Sequence, residues 1–233
     1  MSDLVYLVNE SPIQIEHSQV IASDVELTDH ILLINQTLDF IDRIVREGEH
    51  FDGCHLLVLR LTVRCFNSIS ASLSLATMGY WQPAFALIRD LMETYFLLDL
   101  FNSYPQKLVE WSGLSDQDAL KKYGPAKVRI ILDDRDGNSE RKREKLYKML
   151  SAQAAHPTPN GFSLISPKSS TNVGPFPDKT LLVAALQELA RHVFSIGGIL
   201  LIANRFETDG AKSLMTDLSA RLKEWRSKYN PSF

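Results

Sequence analysis

The chain has 233 residues, enough to bury a sizeable core as one domain or as one domain with an extension. Hydrophobic residues make up 45% and charged residues 23%, an ordinary balance for a soluble globular protein. The formal net charge of -3 supplies no global attraction to nucleic acid or anionic lipid, which leaves only a local basic patch for such partners.

The cysteines, Cys54 and Cys65, fall on one predicted helix, roughly 16 Å apart and too far to pair. With no cysteine framework and no Cys/His spacing for a metal, a reducing compartment is the expectation. Met1-Ser2-Asp3-Leu4-Val5 lacks the basic start and long apolar stretch of a signal peptide. The longest apolar run, Ile196 to Ala203, falls short of the roughly 20 residues of a membrane span. The sequence therefore reads as cytoplasmic, with no membrane segment, no metal and no cofactor.

In chain order, residues 1–22 read as an extended arm, because Leu4 to Val8 and Ile13 to Ile15 favour strand and Pro12 argues against a helix through them. Residues 23–233 read as a single helical domain. Its first helix begins near Ser23-Asp24-Val25-Glu26, a fit to a capping box. Leu27, Ile31, Ile34, Leu38, Ile41 and Val45 follow as one apolar seam, and Gly48 is a natural stop.

Asp52 is placed to cap a second helix running to about Met78, apolar or small except for a stripe of Arg60, Arg64 and Asn67 continued by Ala71 and Ser74. Gly79 suits the left-handed close of that helix and Pro83 the first turn of the next, which runs to about Asn102. These two helices, 52–78 and 83–102, are expected to form the central antiparallel pair of an all-α bundle of seven to nine helices. Counting outward from the turn sets Asn67 near the level of Glu93 and Ala71 near Arg89.

Shorter helices are expected from Pro105, after Ser115 and near Pro125. A polar turn at Asp133 to Gly137 precedes a charged helix after Ser139 that ends around Ala154. Its basic run, Arg141, Lys142, Arg143, Lys145 and Lys148, is interrupted by Glu140 and Glu144 and reads as a solvated face. Residues 156–178 carry Pro157, Pro159, Pro167, Pro175 and Pro177 and read as a long loop. Asp178 or Thr180 starts a helix to about Phe206, and an amphipathic helix with Leu214, Leu218, Leu222 and Trp225 on one side closes the chain. Trp81, Trp111 and Trp225 are scattered and read as packing anchors.

Arg89 and Glu93 stand four residues apart on one face of the apolar helix. Two readings stand: an ion pair that fixes helix packing, or, with Arg64 and Asn67 alongside, a pocket for an anionic small ligand. Gly79, Ala84, Leu87, Arg89 and Glu93 together resemble a pattern in uncharacterised bacterial helical proteins that are themselves similar to HEPN-like domains. A second motif of that group, Tyr, Ser and His at short spacings, resembles Tyr147, Ser151 and His156, and the resemblance extends over residues 24 to 206. It implies a helical, commonly homodimeric protein of bacterial defence or toxin–antitoxin systems, either a metal-independent ribonuclease acting on RNA or a non-catalytic relative. Tyr147, Ser151 and His156 are the catalytic candidates, His156 as proton donor or acceptor. The HEPN ribonuclease signature, an Arg followed by a His, is met in spacing by Arg43 and His50. However, Gly48 breaks the helix between them and Ile44 replaces the polar residue often found next to the Arg.

Overall fold

The computed structural model describes residues 8–47, 53–155, 157–166, 171–203 and 209–229. Its regular elements are all helical: α1 (Ser11–Ser23), α2 (Val25–Glu47), α3 (Gly53–Thr77), α4 (Trp81–Ser103), α5 (Pro105–Ser112), α6 (Asp116–Tyr123), α7 (Pro125–Arg135), α8 (Lys142–Leu150), α9 (Lys179–Ala203) and α10 (Asp209–Tyr229). A π turn at Ser151–Ala155 extends α8, and a 3₁₀ turn spans Pro159–Leu164.

The reading of residues 1–22 as an extended arm is corrected within its described part, where α1 occupies Ser11–Ser23. Pro12 sits in the first turn, where its missing N–H leaves no intrahelical bond unmade, so it starts the helix instead of breaking it. His17 anchors α1, its buried ring donating from Nδ1 to the Thr77 carbonyl at 2.9 Å and lying 5.4 Å from the Trp81 ring. The next helix is capped by Asp24, whose carboxylate accepts from the Glu26 and Leu27 N–H groups at 3.0 and 3.2 Å. The expected seam on α2 is broader than its six apolar residues. Leu27, Ile34 and Ile41 are buried together with His30, Leu33, Thr37, Phe40 and Ile44, while Ile31, Leu38 and Val45 line its edge. Asp52, the expected cap of α3, lies outside the described residues.

α3 packs chiefly on α4, α4 also on α9, and α2 on both α9 and α10. The turn between α3 and α4 depends on Gly79, whose φ of +85° favours glycine. A Cβ there would also stand 2.6 Å from the Phe176 carbonyl oxygen. That carbonyl accepts from Trp81 Nε1 at 3.1 Å, and Phe176 N–H donates to the Gly79 carbonyl at 3.3 Å. The proline-rich segment is thereby fastened at Phe176 to the turn that joins the two helices. Across them, Ser72 Oγ donates to the Ala84 carbonyl at 3.1 Å and Ser68 Oγ to Asp90 at 3.0 Å.

α3 and α9 are long and apolar enough to cross a membrane by length and composition, which a search for unbroken apolar runs does not reveal. In α9 that apolar window is 61% buried within the bundle, and in α3 39%, so α9 is the more enclosed helix. A Cβ added at Gly197 of α9 would stand 3.4 and 3.5 Å from the Leu222 methyls and 3.6 Å from Thr37 Oγ1, so α2, α9 and α10 approach closely there.

α10 buries Leu218, Leu222 and Trp225 in the core and is also tied to α2 by polar contacts. Trp225 Nε1 donates to His30 Nδ1 at 3.0 Å, Lys228 pairs with Asp29 at 2.7 Å, and Arg221 Nε donates to Gln36 at 3.1 Å. Because Nδ1 accepts, the His30 proton is on Nε2, which faces Glu26 at 3.4 Å. Burial pushes the His30 pKa below its ordinary 6.5, against the opposing pull of Glu26. The unfolded chain therefore takes up a proton that the folded one resists. His30 contributes stability above about pH 6.5, and that contribution is lost as pH falls from there toward the lower folded pKa. Melts across about pH 7.5 to 5 should show His30→Gln losing less stability on acidification than the natural protein, and equal slopes would contradict the assignment.

Candidate functional site

α4 is apolar on most sides because it meets α3, α7 and α9 at once, and Arg89 is the cation embedded in it. Its guanidinium reaches out of α4 toward the end of α8. Nε donates to Ser151 Oγ at 2.8 Å and Nη2 donates to the Tyr147 hydroxyl. Glu93 Oε1 lies 2.8 Å from the same Nη2, close enough for an ion pair but off the line of a hydrogen bond. The Arg89 and Glu93 side chains are 21% and 24% exposed, so water screens the pair only in part. α8 makes the third side possible by passing at Leu150 into the π turn, with Ser151 one turn after Tyr147.

Sequence reasoning thus brought together Arg89, Glu93, Tyr147 and Ser151, and these four do meet. His156 lies outside the described residues. Arg64 and Asn67 do not join the cluster. Arg64 pairs with Asp90, on a different face of α4 from Arg89, and Asn67 is exposed. The expected register is shifted, since Ser68 and Arg64, rather than Asn67, reach α4 at the level of Asp90. Of the ribonuclease pair, Arg43 stands on the half-exposed face of α2 bonded to Glu47 at 2.6 Å, and His50 lies outside the described residues.

Sequence reasoning missed Arg129. It is 7% exposed, and its Cζ stands 3.8 Å from the centroid of the Tyr147 ring, with Arg89 Cζ at 4.8 Å from the same centroid. Two guanidiniums meeting one ring is a cation–π arrangement, strengthened where water is excluded. Arg129 Nε and Nη1 are buried and meet no acceptor among the described residues. The available signal was a lone cation inside the apolar run Val128-Arg129-Ile130-Ile131-Leu132.

A second network holds α7 and α8 in place beside this cluster. Arg135 grips Asp99 of α4 with two bonds, at 2.6 and 3.0 Å, and also bonds Asp136. Arg143 donates to Asp133 at 2.7 Å and to Asp136. The Arg135 guanidinium beside Asp136 holds its carboxyl below the ordinary carboxylate range, with Arg143 adding to the effect. The basic run of α8 is accordingly not one solvated face. Arg143 is turned inward, 11% exposed, because Asp133 and Asp136 compensate its loss of water, while Lys142 and Lys148 remain in solvent.

Among the described residues, no group of three or more His, Cys, Asp or Glu is placed to hold a metal ion. Both cysteines are free, and burial pushes the Cys65 thiol pKa well up, so it is not a ready thiolate.

The described residues therefore define an all-helical protein with a polar cluster at the α4–α7–α8 junction. Residues 55–145 match the model of a family described as Family of unknown function (DUF5677). The match runs from α3 into α8, taking in Arg89, Glu93 and Arg129 and ending before Tyr147 and Ser151. No curated protein and no solved structure matches the chain.

Removing one member of the Arg89 cluster strands the others in a partly desolvated place. Arg89→Leu should cost about 2–3 kcal/mol of stability, since hydrogen bonds to charged groups are lost together with an ion pair. Lys142→Ala on the exposed face should stay within about 0.5 kcal/mol. Denaturant unfolding of the two variants measures both, and an Arg89→Leu protein as stable as the natural one would contradict this placement.

Proposed function

We propose that this chain acts by binding and not by catalysis, as a bacterial helical protein of HEPN-like architecture with a role in defence or a toxin–antitoxin system. The observation that carries the reading is the commitment of Tyr147 and Ser151. Both hydroxyls are hydrogen-bonded by Arg89, which fixes them in place as part of the helix junction. Hydroxyls that accept from a partly buried guanidinium offset its loss of water, which is a packing role. Arg89, with Nε and Nη2 already engaged inside the protein, fits the ion-pair reading better than that of an open anion pocket with Arg64 and Asn67. In this proposal α3 and α4 are the central antiparallel pair. The bonds from Ser72 to Ala84 and from Ser68 to Asp90 around the turn at Gly79 support that arrangement. The fold works as a cytoplasmic homodimer without a membrane anchor. The burial of α9 supports the absence of an anchor, and the partly exposed apolar face of α3 offers a surface to a second copy.

The second reading, a HEPN-like ribonuclease, rests on the resemblance of Tyr147, Ser151 and His156 to the family motif. Arg43, engaged by Glu47, gives it no added support. Inducible expression in a bacterial host separates the two. The binding reading expects no growth arrest and intact cellular RNA. Growth arrest with RNA fragments, abolished by His156→Ala, would establish the enzyme instead. Light scattering should give the mass of a dimer at micromolar concentration, and a monomer mass would remove the assembly from the proposal.

A further inference from the structure

We propose that a cavity beside Arg129 binds a small amino carboxylate, a molecule carrying one carboxylate and one ammonium group, because an acceptor-less guanidinium and an ion-pair-less carboxylate line the same cavity. This deepens the binding reading above and rests on it. The cavity holds about 430 Å³, within the roughly 300–1,000 Å³ usual for small-ligand sites. Arg129 and Ile130 of α7, Asn138 and Ser139 of the turn, and Arg141 and Glu144 form most of its wall.

The charges on that wall decide the ligand class. Arg129 is more than nine-tenths buried, and its Nε and Nη1 have no acceptor among the described residues. The Tyr147 ring offsets part of its desolvation, but a ring face is a weaker partner than an oxyanion. A planar guanidinium is matched best by a planar carboxylate, and the Asn138 amide and Ser139 hydroxyl stand on the same wall as further polar partners.

A phosphate or other dianion suits the cavity poorly, because Asp133, Asp134 and Glu144 also line it. Two of these are already engaged: Asp133 by Arg143 at 2.7 Å, and Glu144 by Lys148 at 2.6 Å and by Arg141 at 3.5 Å. Asp134 makes no ion pair among the described residues, so it is the carboxylate left for a ligand ammonium. Arg141, also on the wall, has φ of +49°, a conformation uncommon for a residue with a side chain. A ligand with both charges meets Arg129 and Asp134 together, whereas a simple anion or a simple cation meets one partner and one repulsion.

Titration calorimetry and thermal melts of the full chain test this. The probes are pooled α-amino acids, β-alanine and 4-aminobutanoate, with acetate, methylammonium and inorganic phosphate as single-charge controls. We expect saturable binding and a raised melting temperature for at least one amino carboxylate and for none of the controls. Whether the α-amino acids or the longer compounds bind sets the charge separation that the site accepts. Arg129→Gln and Asp134→Asn should each weaken binding by about tenfold or more, the loss of one charge-assisted bond. Should Arg129→Gln fail to fold, Asp134→Asn still decides, because Asp134 is exposed and makes no ion pair. The proposal is overturned if no amino carboxylate binds, if phosphate or acetate binds equally well, or if Asp134→Asn binds as the natural protein does. Any of those results leaves the non-catalytic reading standing, since expression and RNA integrity decide that separately.

Discussion

The Arg89 guanidinium is the interaction on which the placement of the other parts depends. α4 is buried on several sides, and its cation must find partners in space, since the adjacent Asp90 is turned to Arg64 and Glu93 is the carboxylate its own helix supplies. It finds them in Tyr147 and Ser151, about 60 residues further along the chain, across a connection of three shorter helices. Apolar burial alone is indifferent to small rotations of one helix against another, because it scales with area and has no direction. Two directed bonds from one rigid fork remove that indifference and set where α8 ends against α4. The same contact carries the Tyr147 ring to Arg129, so the brace also shapes the cavity between α7 and α8.

The remaining helices follow the same division of labour. Leu33, Ile34, Phe40, Ile69, Ile88 and Leu186 are fully buried and supply the non-directional drive to collapse. Polar contacts at the margins then choose one arrangement: His17 to Thr77 for α1, His30 and Asp29 for α10, and the Asp99–Arg135–Asp136–Arg143–Asp133 chain for α7 and α8. Each joins elements far apart in sequence, and each includes a group that would be costly to bury without its partner.

The division also explains what could be read in advance. The helices around Gly79 were legible because an apolar pattern, a glycine and a proline agree there, and local and tertiary preferences do not conflict. Helix α1 was misread because Pro12 was weighed as a breaker, when its meaning depends on whether a helix begins beside it. Arg89 and Glu93 were legible as charges four residues apart on an apolar helix, and Tyr147 and Ser151 through the resemblance to a family motif. That Arg64 turns to Asp90, and that Arg143 turns inward, were not legible. Both depend on register across helices, and a residue or two of register moves a side chain to another face. Arg129 was missed because cations in a short helix are ordinary at the surface, and only the fold shows that this one is covered.

A double-mutant cycle on Arg89 and Tyr147, read by chemical denaturation, tests the central claim most directly. Arg89→Met and Tyr147→Phe remove the two ends of one bond with little change in volume, and the double variant isolates their coupling. If the guanidinium couples α4 to α8 as described, the coupling free energy should be about 1–2 kcal/mol, and the double variant should lose less than the sum of the single ones. Losses that add to within about 0.3 kcal/mol would show the two side chains to be independent and would contradict the account.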